Sequence, residues 1–344
     1  MGRIRSIGGA LSCVMLASAT GLAGADPVAE FYAGKTISII VPSGPGGGYD
    51  LYVRTLARHY PRNIPGNPNM VIQYVPGGGG IIAANTVYSL ARRDGTGIGM
   101  LASSTFLLAA VGDANIKFEN LRFTFIGNMN EEVDTCSVWH TSGIKSAEDM
   151  KVREVILGVT GPGSNSLTFP LAMNSALGMK FKTIRGYQGG AQIRTTAMER
   201  GEVQGTCGIF VSTMNAQFPQ QLSEGLLKVV LQMGLSRHPA YKDVPNALEI
   251  ARDPSGRAAL ELLFAQLALG RPVLGPPDIP ADRAAALQKA FDATMNDLQF
   301  LAEAEKTRVE LRWFGAARMK EVMERMETAP QPVKDDVRKL LDAK

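Results

Sequence analysis

Thr36-Ile37-Ser38-Ile39-Ile40-Val41-Pro42-Ser43-Gly44-Pro45-Gly46-Gly47-Gly48-Tyr49-Asp50 is the stretch that decides the fold. Its first six residues are rich in β-branched side chains and suit a strand. The glycine-rich turn then runs into Leu51–Tyr60, where Leu51, Leu56 and Tyr60 stand among Arg54, Arg58 and His59, an amphipathic helical pattern. The unit recurs as strand Met70–Val75, turn Pro76-Gly77-Gly78-Gly79-Gly80 and helix Ile81–Leu90. Such alternation predicts an α/β fold with a parallel sheet and a ligand site at the carboxyl ends of its strands. Both turns expose the backbone N–H groups of a helix start, which suits an anion, so a small organic acid is the expected ligand.

Further along, strand Ile98–Leu101 precedes an apolar helix at Phe106–Val111, with Ser103, Ser104 and Thr105 between them, and the pattern resets after Phe123–Met129. A short helix at Ser146–Met150 and a strand at Val155–Val159 lead to Gly161-Pro162-Gly163-Ser164-Asn165-Ser166, which opens a helix through Leu177. This third strand-turn-helix unit repeats the chemistry of the first two. Strand Phe181–Arg185, helix Gln192–Arg200 and strands Gly205–Ile209 and Leu227–Met233 follow. After Pro245 the chain reads as helical: Ala247–Ala251, Gly256–Leu263, Ala281–Asn296, Leu298–Lys306 and Arg318–Glu327. The expectation is two α/β lobes, the first made of 26–130 and 234–344 and the second, 131–233, inserted into it.

The first 25 residues bear on location. Arg3 and Arg5 precede an apolar run, Ile7 to Leu22, and Ala23-Gly24-Ala25 supplies small residues, so a secretory signal peptide cleaved near Ala25 is expected. Ala10-Leu11-Ser12 before Cys13 is a poor lipobox. Periplasmic residence of a chain of about 319 residues follows, long enough for two cores. Past the leader, Cys136 and Cys207 are an even pair that permits one disulfide in an oxidising compartment. The 36 Lys and Arg barely exceed the 32 Asp and Glu, with no basic run carrying aromatics, which argues against nucleic acid as partner. His59, His140 and His238 lie too far apart for a helical metal pair, and neither a metal nor another cofactor is expected.

The charge-free windows specify the chemistry. No Lys, Arg, Asp or Glu occurs between Val155 and Met179 or between Gly95 and Gly112, and Asp50 is the sole charge between Thr36 and Val53. A carboxylate is therefore expected to be held by amides and hydroxyls rather than by an arginine clamp. Its wall is read as Ser43, Gly44, Pro45, Gly46, Gly47, Tyr49 and Gly78, with Ser103 and Ser104 from one helix start and Ser164, Asn165 and Ser166 from another. The default role of Asp50 is to brace the Gly46–Gly48 loop through its N–H groups.

Seven short motifs in order carry a resemblance. They are Ile39-Ile40-Val41-Pro42 running into Gly46-Gly47-Gly48-Tyr49-Asp50, then Pro76-Gly77-Gly78-Gly79-Gly80, Asp94-Gly95-Thr96, Gly186-Tyr187-Gln188-Gly189-Gly190-Ala191, Gly201-Glu202-Val203, Arg237-His238-Pro239 with Asp243-Val244-Pro245, and Pro277-Asp278-Ile279-Pro280. Over the chain beyond its leader the sequence resembles the substrate-binding proteins of tripartite tricarboxylate transporters, the Bug family. The resemblance implies a two-lobed Venus-flytrap fold whose cleft captures a carboxylate for a membrane permease, a monomer without enzymatic activity. It adds Tyr187 and Gly189 to the site, and in members that bind amino acids the position of Asp50 receives the ligand ammonium. Tyr49 stands where many members have a small polar residue, and Ser43 where an aromatic is common.

Competing classes fail on register. Gly44-Pro45-Gly46-Gly47-Gly48-Tyr49 ends in Tyr where a dinucleotide fingerprint needs Gly, Gly48 is followed by Tyr49 rather than the Lys of a phosphate loop, and no G-x-S-x-G occurs. An exported enzyme of another type, or a solute sensor that docks a signalling partner, is the alternative.

Overall fold

The computed structural model describes Gly2, residues 26–187 and residues 193–342. The candidate leader, Gly2 apart, and the motif residues Gln188, Gly189, Gly190 and Ala191 lie outside these. Helix α1 (Pro27–Tyr32) leads into β1 (Thr36–Val41), α2 (Gly48–Asn63), β2 (Asn69–Tyr74), α3 (Ile81–Leu90), β3 (Gly97–Met100), α4 (Ser104–Ala110) and β4 (Thr124–Asn128). Next come β5 (Asp134–Trp139), α5 (Asp149–Val152), β6 (Val155–Gly158), α6 (Asn165–Leu177), β7 (Phe181–Ile184), β8 (Gly205–Phe210) and β9 (Leu227–Met233). Two short strands, β10 (Pro272–Gly275) and β11 (Phe314–Gly315), sit among the helices that close the chain.

The described strands make two sheets, ordered β11-β4-β10-β3-β1-β2 and β7-β6-β8-β5-β9. Neither is wholly parallel, which corrects the sequence expectation. The strand-turn-helix units do pair in parallel, β1 with β2 and β3, and β6 with β7 and β8, because each helix carries the chain back to the same edge. The strands that carry the chain between sheets run the other way: β10 is antiparallel to β3 and β4, and β5 to β8 and β9. Neither β5 nor β10 was legible. The first, Asp134-Thr135-Cys136-Ser137-Val138-Trp139, is polar yet buried through Val138, and the second is four residues bounded by Pro and Gly in a stretch read as helix. Likewise, the expected helix Gln192–Arg200 is a π-type turn at Ile193–Ala197.

Packing fixes the loops. Tyr52, Val53, Leu56 and Tyr60 of α2 and Ile37, Ile39 and Val41 of β1 are buried in one cluster with Leu287 and Phe291 of the helix Ala281–Met295. The Tyr60 hydroxyl donates to the Leu287 carbonyl at 2.8 Å. Each such side chain contributes roughly 1.5–3 kcal/mol by leaving water, so the start of α2 has little freedom relative to the sheet. In the second sheet Cys136 and Cys207 are register partners on β5 and β8, joined as a disulfide across 71 residues of chain. The chain does not leave this sheet at once after β9: the helix Pro254–Ala265 packs on α6, and so does the helix Gln331–Asp342.

Candidate ligand cleft

A cavity of about 700 Å³ lies between the two sheets, lined from both. One wall is the loop after β1, with Ser43, Gly44, Pro45 and Gly47; the loop after β2, with Gly77, Gly78 and Gly79; and Ser103 and Ser104 after β3. The other is Thr160, Ser164, Asn165 and Ser166 after β6, Tyr187 after β7, and Gly208, Ile209 and Phe210 on β8. Every loop but the last thus leaves the carboxyl end of a parallel strand, where an α/β sheet opens its helix starts to a ligand.

The local conformations follow from residue type. Gly46 has φ +86°, and Gly77, Gly78, Gly79 and Gly80 all lie between +58° and +133°, a region that L side chains enter only at a cost. Gly47, the N-cap of α2, has φ −94° and no side chain to bond the first helical N–H groups. At α6 the Ser164 N-cap makes no side-chain cap either, because its hydroxyl donates to the Gly161 carbonyl at 2.7 Å. Ser164 and Ser166 are stitched into their own loop, Oγ to Oγ at 2.8 Å, with Ser166 also accepting the Thr160 N–H at 3.0 Å. The hydroxyls of Ser43 and Ser103 are buried without a protein partner.

Of the expected site residues, Gly46 and Asp50 do not line the cavity, and Gly189 lies outside the described residues. Asp50 turns back on its own loop: it accepts the Gly46 N–H at 2.9 Å and pairs with Arg54 at 2.7 Å, while the Tyr74 hydroxyl donates to it. Burial alone would raise its carboxyl, but the Tyr74, Gly46 and Arg54 bonds outweigh that and hold it below the usual range. Gly48 is a packing glycine, since a methyl group there would come within 2.2 Å of Thr213 Oγ1.

Strain therefore falls on Gly46 rather than Gly47. A methyl group at Gly47 meets nothing nearer than Ser43 Oγ at 4.0 Å, yet that residue lines the cavity. Gly47→Ala is expected to leave the melting temperature within about 1 °C of wild type and to weaken ligand binding, whereas Gly46→Ala should cost about 1 kcal/mol of stability. Calorimetric titration beside urea unfolding of both variants reads the two effects. A Gly47→Ala protein that binds as wild type would show that the loop amide does not face the ligand.

The sequence reading missed Arg271. It lines the cavity and is 1% exposed, so a cation as well as amides and hydroxyls borders that space. Its Nη2 donates to Thr213 Oγ1 at 2.9 Å and lies 3.5 Å from the buried Glu132 carboxylate, itself bonded by Ser212 Oγ at 2.5 Å. The rings of Phe210, Tyr52 and Tyr49 lie 4.4, 4.5 and 4.7 Å from its guanidinium carbon. Burial pushes Glu132 up despite Arg271, and pushes Asp134 up much further. Asp134 accepts from Asn165 Nδ2 at 2.7 Å, leaving Asn165 Oδ1 unpaired. No signal within the glycine loops points to a residue more than 190 positions away; only the tertiary pairing of β10 with β3 brings it there.

Among the described residues no cluster of His, Cys, Asp and Glu could hold a metal, and no helix is long and apolar enough to cross a membrane. No family model and no curated protein matches the sequence. Solved structures do match. The periplasmic binding protein BugD is 20% identical, with 90% of this chain and 98% of that one covered at a TM-score of 0.69. A TctC solute binding protein from Polaromonas is also 20% identical, covering 89% and 99% at 0.60. MatC from Rhodopseudomonas palustris, with bound malate, is 18% identical, covering 85% and 98% at 0.64. The chain therefore has the two-lobed α/β fold of periplasmic binding proteins of the TctC and Bug type.

Proposed function

We propose that this chain is an extracytoplasmic solute receptor that captures a small organic carboxylate between its lobes and delivers it to a membrane permease of the tripartite tricarboxylate type. In this reading a signal peptide ending near Ala25 sends it to the periplasm, where it acts as a monomer and turns nothing over. Its lobes are 26–130 with 234–344, and 131–233, the helices Pro254–Ala265 and Gln331–Asp342 of the first reaching across to pack on α6 of the second. What carries the reading is the facing of uncapped helix starts, α2 and α4 from one sheet and α6 from the other, across one cavity that, among the described residues, has a single charged lining side chain, a cation. Backbone N–H groups at helix starts bind anions, each charge-assisted bond contributing roughly 1.5–3 kcal/mol. The contacting groups proposed are the amides of Gly44, Gly47 and Gly78 with the hydroxyls of Ser43, Ser103 and Ser104, and the opposite wall closes over them. That a neighbour in fold was solved with malate, and another from the same organism with adipate, supports an organic acid here.

Titration with malate, adipate, citrate, glutamate, nicotinate and benzoate tests this. One site per chain with a Kd of about 1 μM for at least one acid is expected, indifferent to EDTA, with the acid recovered unchanged. Absence of heat and of thermal stabilisation with all six, or recovery of an altered acid, would refute it.

A further inference from the structure

The charged corner of the cavity is electrostatically unfinished. A methyl group at Gly48 would lie 2.9 Å from Arg271 Nη2, so the guanidinium abuts the start of α2, a helix of 16 residues. That end carries the positive pole of the helix dipole, and Gly47 offers no acceptor, so the helix repels the cation placed beside it. The balancing acid, Glu132, is shared with Ser212, and the next acid, Asp134, is turned to Asn165. Nη2 is bonded to Thr213 and Nη1 donates to the Gly270 carbonyl at 3.3 Å. Arg271 Nε has no partner, although its side chain is 1% exposed. Ser103, also 1% exposed and lining the same cavity, carries a second unpartnered group. Buried polar atoms without partners are rare, and here residues carrying three unpartnered donors, Arg271, Ser103 and Ser43, line one cavity together with a helix start. A bound anion would satisfy the donors and remove the repulsion between like poles.

We propose that Arg271 is a ligand-anchoring residue: a carboxylate seated at the start of α2 is held jointly by the loop amides, the Ser103 hydroxyl and the guanidinium, which therefore selects acids over their neutral amides. This rests on the cleft being a carboxylate site and names the side chain that reads the charge. The rings of Tyr49, Tyr52 and Phe210 crowd the guanidinium and fix its orientation. Glu132 is then a competitor, since the ligand must share Arg271 with it.

That competition separates anchoring from a merely structural bridge. Succinate, benzoate, citrate and the neutral succinamide are titrated into wild type, Arg271→Gln, Arg271→Lys and Glu132→Gln. Wild type should bind an acid and ignore succinamide. Arg271→Gln should weaken the tightest acid about 10- to 100-fold, and Arg271→Lys should fall between, its point charge lacking the fork. Glu132→Gln should bind the acid about threefold tighter or more, because the guanidinium is released. A structural bridge predicts the opposite sign, weaker binding in Glu132→Gln as in Arg271→Gln, and that result overturns the proposal. Should Arg271→Gln fail to fold, Arg271→Lys and Glu132→Gln decide the matter alone. Unchanged affinities in every folded variant refute this proposal but leave the receptor reading standing; wild type binding neither these three acids nor any of the six titrated above refutes both.

Discussion

Gly79→Ala is expected to abolish tight ligand capture while leaving the unliganded protein folded. Gly79 belongs to the loop after β2, and across the cavity it meets the backbone of the opposite wall. A methyl group there would lie 2.2 Å from Ser164 N and 2.3 Å from the Gly163 carbonyl carbon. Backbone cannot rotate away as a side chain can, so the two walls would have to separate by more than an ångström to restore ordinary contact. If the closed arrangement is what binds ligand, its population falls and the apparent affinity falls by the same factor, about 100-fold or more for such an overlap. Gly79 also has φ +68°, so alanine carries about 1–2 kcal/mol of backbone strain besides. Gly225→Ala supplies the control: its φ is +70°, but no atom lies within 4 Å of the added methyl. Both variants should lose comparable stability in urea, and only Gly79→Ala should lose binding. Equal affinities in the two would show that the walls need not meet for the ligand to be held.

The same loop explains which parts of the molecule the sequence disclosed. Four successive glycines with positive φ after a strand are a local necessity, visible without knowledge of anything distant, and so are the strand Thr36–Val41 and the helix starts behind each turn. One wall of the cavity was legible for that reason. What the turns touch was not. Gly48 reads like its neighbours, but its reason is Thr213 on the helix Val211–Gln217 that follows β8, and Arg271 and Glu132 meet only because β10 inserts between β3 and β4. The charge-free windows could not foresee Arg271 because they count neighbours along the chain, whereas a cavity takes its charge from neighbours in space. β5 escaped notice because it is buried on both faces yet polar: Asp134, Thr135 and Ser137 are all shut from water, which a hydrophobic pattern cannot signal.

Asp134 gives the largest expected dependence of stability on pH. The residue is fully buried, its Oδ1 has no partner, the Glu132 carboxylate acts on it as a like charge, and Asn165 is its one hydrogen-bond donor. Desolvation raises its pKa well above the usual carboxylate value, with the Asn165 bond and Arg271 opposing and Glu132 adding to the rise. A raised folded-state pKa means that the native protein holds a proton which the unfolded chain has already released. Stability from this group is therefore complete below about pH 4 and is lost as pH rises toward the folded value, at about 1.4 kcal/mol for each pH unit crossed. Asp134→Asn removes the titration and keeps an acceptor for Asn165. The variant and wild type should have similar unfolding free energies at about pH 4, and the variant should gain steadily above that, a difference read by urea unfolding at half-unit steps. Subtracting the two curves cancels the groups that both share, Asp50 among them, whose lowered pKa acts with the opposite sign and only at acid pH. A difference that stays flat from pH 4 to 7 would mean that Asp134 is ionised in the folded protein, and that Arg271 then serves two carboxylates rather than one.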